Sequence, residues 1–97
     1  MRDDRQRLDK WLWFARFAKS RTLAAKLVAE GFVRVNGQRV DNPAKSLATG
    51  DVVTLALHRA TVVLRVEALG QRRGPAPEAR LLYSSLEAPL PGEPAGE

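Results

Sequence analysis

The chain has 97 residues, 44% of them hydrophobic, with a net charge of +5, one histidine and no cysteine. That length supports one domain with a single modest core, and the absence of cysteine excludes a disulfide framework, a thiolate metal site and a thiol nucleophile. His58 alone cannot build a multi-histidine metal site, and no apolar run approaches the roughly 18 residues that span a bilayer.

Residues 1–6 are polar and expected to fray. From Arg7 to Ala18 the pattern is helical, with Leu8, Trp11, Leu12 and Ala15 forming an i, i+3, i+4, i+7 stripe. Ser20 is placed to cap a second helix, its hydroxyl accepting a free backbone N–H of the first turn. That helix runs to Glu30, with Leu23, Ala24, Leu27 and Val28 as its apolar stripe, and Gly31 closes it. In Phe32–Val40 the Asn36-Gly37 pair between alternating residues predicts a two-residue hairpin turn, since a type I′ turn wants positive φ at both central positions. Asn42-Pro43 breaks the strand, a loop carries Lys45, and Thr49-Gly50-Asp51 is a second turn. Val52–Leu57 and Thr61–Leu69 read as strands joined at His58-Arg59-Ala60. Their weak alternation suggests burial on both faces or an imperfect strand. Gly70–Pro77 is a loop holding Arg72 and Arg73, and Glu78–Leu86 fits either a strand or a short helix. From Glu87 the composition is Pro, Gly, Ala and Glu, which cannot bury enough apolar area to order itself.

The positive charge is unevenly placed. Residues 1–50 hold eleven Lys and Arg against five Asp and Glu, whereas residues 51–97 hold five against six. A basic surface confined to one part of a small domain is the footprint of a polyanion binder. Three loci carry it. Arg7 and Lys10 are neighbours on the first helix. Lys19, Ser20 and Arg21 crowd the start of the second helix, where free N–H groups favour a phosphate. In the hairpin Val35 faces Gln38, Val33 faces Val40 and Arg34 faces Arg39. The valines then point to the core, and two like charges oppose each other on the outer face, an arrangement that an anion would relieve. Lys45 adds a further cation.

Trp13 and Phe17, four residues apart on the first helix, offer faces on which unpaired bases stack. Burial against the C-terminal strands is the reading favoured for them. No Ser/His/Asp set, Gly-rich phosphate loop or carboxylate pair is present, so no catalytic residue, metal or cofactor is expected and the protein is read as non-enzymatic. Asp9 is available to pair with a nearby basic side chain, and Asp41 and Asp51 fit turn positions.

The ordered set Arg7-Leu8-Asp9-Lys10, Lys19-Ser20-Arg21, Gly31-Phe32-Val33-Arg34-Val35-Asn36-Gly37 and Gly50-Asp51-Val52-Val53 resembles the RNA-binding domain first described in ribosomal small-subunit protein four. The resemblance covers about residues 7–57. It implies an α+β fold, the alpha-L-type motif, with two N-terminal helices packed on a small, strongly curved, mostly antiparallel sheet. Within that superfamily, the run Arg7–Phe17 and the stretches Gln71-Arg72-Arg73 and Leu81-Leu82-Tyr83 are similar to the ribosome-associated fifteen-kilodalton heat-shock protein family. That resemblance implies a partner in the large ribosomal subunit carrying tRNA. It places Arg7, Lys10, Lys19, Ser20, Arg21, Lys26, Arg34 and the Asn36-Gly37-Gln38 turn on the RNA surface. Members of that family with the full architecture carry a long basic C-terminal extension, where this sequence has a short stretch bearing Glu87, Glu93 and Glu97.

The expectation is therefore a cytoplasmic, monomeric, non-catalytic binder of structured RNA, with no membrane partner. Residues 7–57 would form the RNA-binding domain, 58–86 strands completing it, and 87–97 a disordered tail. A helix-turn-helix DNA-binding protein is the first alternative. Its second helix would offer only Arg21, Thr22 and Lys26 outward, which is little for reading base edges. A protein-interaction module using Trp13 and Phe17 is the other.

Overall fold

The computed structural model describes residues 5–57 and 61–86. The expected junction at His58-Arg59-Ala60 and the tail from Glu87 lie outside the described residues, as do residues 1–4. The chain folds as α+β, with helices packed on a five-stranded antiparallel sheet and a separate two-stranded ribbon.

The first helical stripe falls where the periodicity places it. In α1 (Leu8–Phe14), Leu8, Trp11 and Leu12 are fully buried, and Ala15 just past its end is buried too. The first turn has no side-chain cap. Its free N–H groups go instead to carbonyls of the loop 41–45, Leu8 to Lys45 (2.8 Å) and Asp9 to Pro43 (3.1 Å). That loop is itself turned by Asn42, whose Oδ1 accepts the Ala44 N–H at 3.0 Å. The helix ends earlier than expected. Arg16 takes φ 68°, and the Phe17 N–H reaches back to the Leu12 carbonyl at 3.0 Å while the Arg16 N–H bonds Trp13 at 3.1 Å. This is a Schellman-type stop with arginine where glycine is usual. The left-handed conformation costs a side-chain-bearing residue roughly 1–2 kcal/mol, and here the Arg16 guanidinium anchors it by donating to the Gly74 carbonyl at 2.8 Å.

Helix α2 (Arg21–Ala29) starts at Ser20, whose Oγ accepts the Leu23 N–H at 3.1 Å, and stops at Gly31 with φ 86°. Ala24 and Val28 are fully buried and Leu27 half-buried, but Leu23 is 46% exposed, so the stripe is narrower than the sequence suggests.

Strands β2 (Val33–Val35) and β3 (Gln38–Val40) pair in the expected register, Val33 with Val40, Arg34 with Arg39 and Val35 with Gln38. Asn36 and Gly37 supply the two positive φ values, 54° and 84°. Two short strands were not foreseen. Arg5 and Gln6, read as part of a frayed terminus, belong to β1 (Arg5–Arg7), which pairs with β4 (Ser46–Ala48) in the stretch read as a loop. Strands β5 (Val52–Ala56) and β6 (Thr61–Val66) follow. The stretch Glu78–Leu86, left open between strand and helix, takes both forms, and its helix begins two residues earlier, inside the stretch read as a loop. A short helix α3 (Ala76–Ala79) and a 3₁₀ turn (Arg80–Leu82) precede β7 (Tyr83–Ser85). The sheet order is β3-β2-β5-β6-β7, every neighbour antiparallel. Burial alternates along most of both strands despite the aliphatic runs: Val53, Leu55, Leu64 and Val66 are buried in the core, Thr54 and Arg65 are less so, and adjacent Val62 and Val63 are both half-buried.

The second half also braces α1. The buried Trp11 indole donates to the Ala68 carbonyl at 3.0 Å. The Gln6 amide clasps Gly70 in both directions, Nε2 donating to its carbonyl (2.8 Å) and Oε1 accepting its N–H (3.0 Å). Gly70 lies so close to Phe14 that an added Cβ would stand 2.7 Å from the ring's Cγ. We therefore expect Gly70→Ala to destabilise the fold by about 1–3 kcal/mol through overpacking, measured as a lowered urea midpoint; an unchanged midpoint would show that this contact relaxes freely.

Candidate nucleic-acid interface

The basic side chains are organised by one acid. Asp9 sits in the first turn of α1 with its side chain 4% exposed. Its carboxylate takes a two-pronged contact from Arg7, Nε to Oδ1 at 3.2 Å and Nη2 to Oδ2 at 3.1 Å, while Arg21 Nε stands 3.8 Å from Oδ2. Arg7 and Arg21 keep 51% and 43% of their side-chain surface. A buried carboxylate thus fixes the bases of two half-exposed guanidinium groups, one before α1 and one at the start of α2. Charge-assisted forks of this kind hold direction as well as energy.

The α1 start also carries Lys45, because Lys45 and Pro43 supply the carbonyls that receive its first N–H groups. Lys45 in turn lines an open groove of about 460 Å³ between the β2–β3 hairpin and the β1–β4 ribbon. Arg5, Gln38 and Arg39 contribute to the same groove, as do Asp41 and Asp51. Arg5 and Arg7, two apart on β1, are both exposed on one side of the ribbon, while Gln6 turns inward to Gly70. A basic band therefore runs from Arg21 through Arg7 and Lys45 to Arg39. Arg5 was missed from sequence because it sat in a stretch read as frayed. Its alternation with Gln6 and Arg7 was the available signal.

Other residues expected in the site have separate surroundings. Lys10 lies over the Phe14 ring, 5.6 Å from its centroid. Lys19 and Lys26 are exposed and border a different groove along α2. Arg34 stands on the outer sheet face between Arg39 and Thr54. The guanidinium of its opposed partner lies against Gly31, where an added Cβ would be 2.6 Å from Arg39 Nε and 2.7 Å from Cζ. Arg39 thus ends beside the carboxyl terminus of α2, which favours a cation. Ser20 spends its hydroxyl on the helix cap. Asn36 is committed to the sheet: its Oδ1 accepts the Val52 N–H at 2.9 Å and its Nδ2 donates to Asp51 Oδ1 at 3.3 Å, with Asp51 Oδ2 receiving the Ala48 N–H at 3.0 Å. Gly37 has open space around it and needs glycine for its positive φ alone.

The two C-terminal arginines are engaged internally. Arg73 donates to the Trp13 carbonyl (3.2 Å) and the Ala18 carbonyl (3.4 Å), closing the end of α1. Arg72 forks onto Glu78 at 3.0 and 2.8 Å, and that hydrogen bond, then the carboxylate's charge, raises its pKa above the ordinary value. Phe17 packs on Tyr83 of β7, ring centroids 4.9 Å apart, and Trp13 is half-buried beside Phe14. Among the described residues no helix is long and apolar enough to cross a membrane, and no cluster of three or more His, Cys, Asp or Glu could hold a metal.

The S4 domain family model matches residues 6–53. The chain is 42% identical over 84 residues to a heat shock protein 15 homolog of Aeromonas salmonicida, covering 87% of this chain and 63% of that protein. It is 44% identical over 77 residues to heat shock protein 15 of Escherichia coli K12, covering 79% and 57%. The chain thus spans about three-fifths of the length of these relatives. The trimeric structure of Vibrio cholerae heat shock protein 15 superposes with a TM-score of 0.79 at 43% identity, over 84% of this chain and 81% of the other.

If Asp9 organises the arginines, Asp9→Asn should cost stability by about 1–3 kcal/mol, since two charged donors lose an ionised acceptor and meet an amide N–H₂. The urea midpoint should fall without a change in slope. A midpoint within error of the parent would remove Asp9 from that role.

Proposed function

Because the chain belongs to the heat shock protein 15 family of S4-domain proteins, we propose that it is a non-catalytic RNA-binding protein that holds structured RNA by its phosphates. The observation that carries this reading is the band running from Arg21 through Arg7 and Lys45 to Arg39, fastened at one end by Asp9. Half-exposed guanidinium groups with fixed bases lose little freedom on meeting a phosphate, and planar forks suit phosphate oxygens. Contacts to the backbone read shape more than sequence, as expected for helical RNA.

We assign the RNA surface to Arg7, Lys10, Lys19, Arg21, Lys26, Arg34, Gln38, Arg39 and Lys45, with Arg5 added from its place in the groove. Ser20, Asn36 and Gly37 support it by shaping the helix start and the turn. Residues 7–57 form the RNA-binding part in this reading, and 58–86 complete the same domain. The RNA is ribosomal, in the large subunit with bound tRNA, and the role is a cytoplasmic heat-shock or ribosome-rescue one. The support for that finer statement is the kinship with heat shock protein 15.

Charge reversal at Arg21 and at Arg34 should each weaken binding to ribosomal RNA in a filter titration. Each should also flatten the salt dependence, by about one unit of log–log slope for every phosphate that is no longer neutralised. Unchanged affinity in both variants would overturn the surface. On a sucrose gradient of cell extract the protein should run with free large subunits, and its absence from every ribosomal fraction would remove the ribosomal partner. One chain contains the whole band, so a single copy suffices for binding, although the Vibrio cholerae relative was solved as a trimer. Sedimentation equilibrium should return the monomer mass, and a trimer mass would overturn that.

A further inference from the structure

A second groove, of about 500 Å³, lies along the exposed side of α2 and differs in character from the basic band. Phe17, Ala18, Leu23 and Leu27 form its apolar lining, and Lys19, Lys26 and Glu30 its charged border. Leu23 is 46% exposed in the first turn of α2, whereas the helix's other large apolar residues, Leu27 and Val28, are half-buried and buried, so its side chain is available to a ligand. Phe17 is a firm platform, because its ring is held by Tyr83 at 4.9 Å and Trp11 at 6.5 Å. Lys19 belongs at once to this groove and to the helix-start cluster with Arg21, so the groove continues the proposed RNA surface.

We propose that this groove receives an unpaired nucleobase pushed out of the RNA whose phosphates the basic band holds. The inference rests on the RNA reading above and names the kind of RNA it prefers: a helix carrying a bulged or flipped nucleotide. Three features favour a base over a further stretch of backbone. The lining is aromatic and aliphatic, a surface that a π-face covers and a phosphate does not. Lys19 lies just before the Ser20 cap and Lys26 in the last turn of α2, and both border the groove, so their ammonium groups can meet the phosphates on either side of one inserted nucleotide. Glu30 would repel a phosphate, yet a carboxylate accepts a hydrogen bond from the exocyclic amine of a base.

The test uses the full chain and two RNA hairpins with the same stem, one fully paired and one with a single bulged adenosine. The parent protein should bind the bulged hairpin at least about fivefold more tightly, the lower end of a stacking contact. Leu23→Ser, a change at an exposed position, should bring the two affinities together while leaving the paired-hairpin affinity and its salt slope unaltered. With 2-aminopurine at the bulge, emission should be quenched by the parent and not by the variant. Equal affinity for both hairpins in the parent, or a preference that survives Leu23→Ser, overturns the base site and leaves phosphate binding standing. Binding of neither hairpin overturns the RNA reading and the base site together.

Discussion

The Asp9 carboxylate is the constraint on which the arrangement of the basic surface depends. It is buried in the first turn of α1, where an acid is favoured by the helix dipole. It is compensated by guanidinium groups from both sides of the helix pair, Arg7 and Arg21. An acid buried without such partners would be expensive. The same requirement that makes Asp9 tolerable therefore dictates where two arginines must begin. Because the neighbouring N–H groups of Leu8 and Asp9 bond to Lys45 and Pro43, the loop bearing Lys45 is drawn to the same place. Cations separated by up to 38 positions along the chain thus share one edge of the fold.

Opposite that edge, the second half acts as a brace. Trp11, Gln6, Arg16 and the end of α1 all find hydrogen-bond partners between residues 68 and 74. The Trp11 indole N–H, on a fully buried side chain, depends on that segment for its partner, and a buried group left unpaired costs about 1–3 kcal/mol. Among the described residues no buried side-chain nitrogen or oxygen lacks a partner. Arg73, which by charge alone resembles a further anion contact, is occupied by backbone carbonyls, whereas Arg72 forks onto the partly exposed Glu78 and keeps 71% of its side-chain surface. Charge counting overstates a binding surface whenever arginines serve as hydrogen-bond struts.

The hairpin separates support from contact in a similar way. Asn36 turns the chain and ties the turn to the start of β5 through Val52 and Asp51, so its side chain is spent. Arg39, facing Arg34 in register, extends toward Gly31. That places the Arg39 guanidinium beside the carboxyl end of α2, where a cation is favoured. The outward reach of the hairpin then falls to Arg34, Gln38 and Arg39, the last two lining the groove beside Lys45.

What the sequence determined by itself was set by interactions within a few residues. The stripe Leu8, Trp11, Leu12, Ala15, the Ser20 cap, the Gly31 stop and the Val33–Val40 register follow from helix period, capping chemistry and turn geometry. All of them appear in the fold. The basic first half, with its motif order, was equally legible, because charge and spacing need no partner to be read. The remaining features rest on contacts between residues far apart in the chain. Arg16 ends α1 in a left-handed conformation because Gly74, 58 residues away, receives its guanidinium. Arg5–Arg7 became a strand because Ser46–Ala48 offers an edge. Leu23 stayed exposed because α2 turns only Ala24 and Val28 fully into the core. Local pattern states what a segment is able to form; which face is covered, and which charge is left free, depends on surfaces that meet only once the chain has folded.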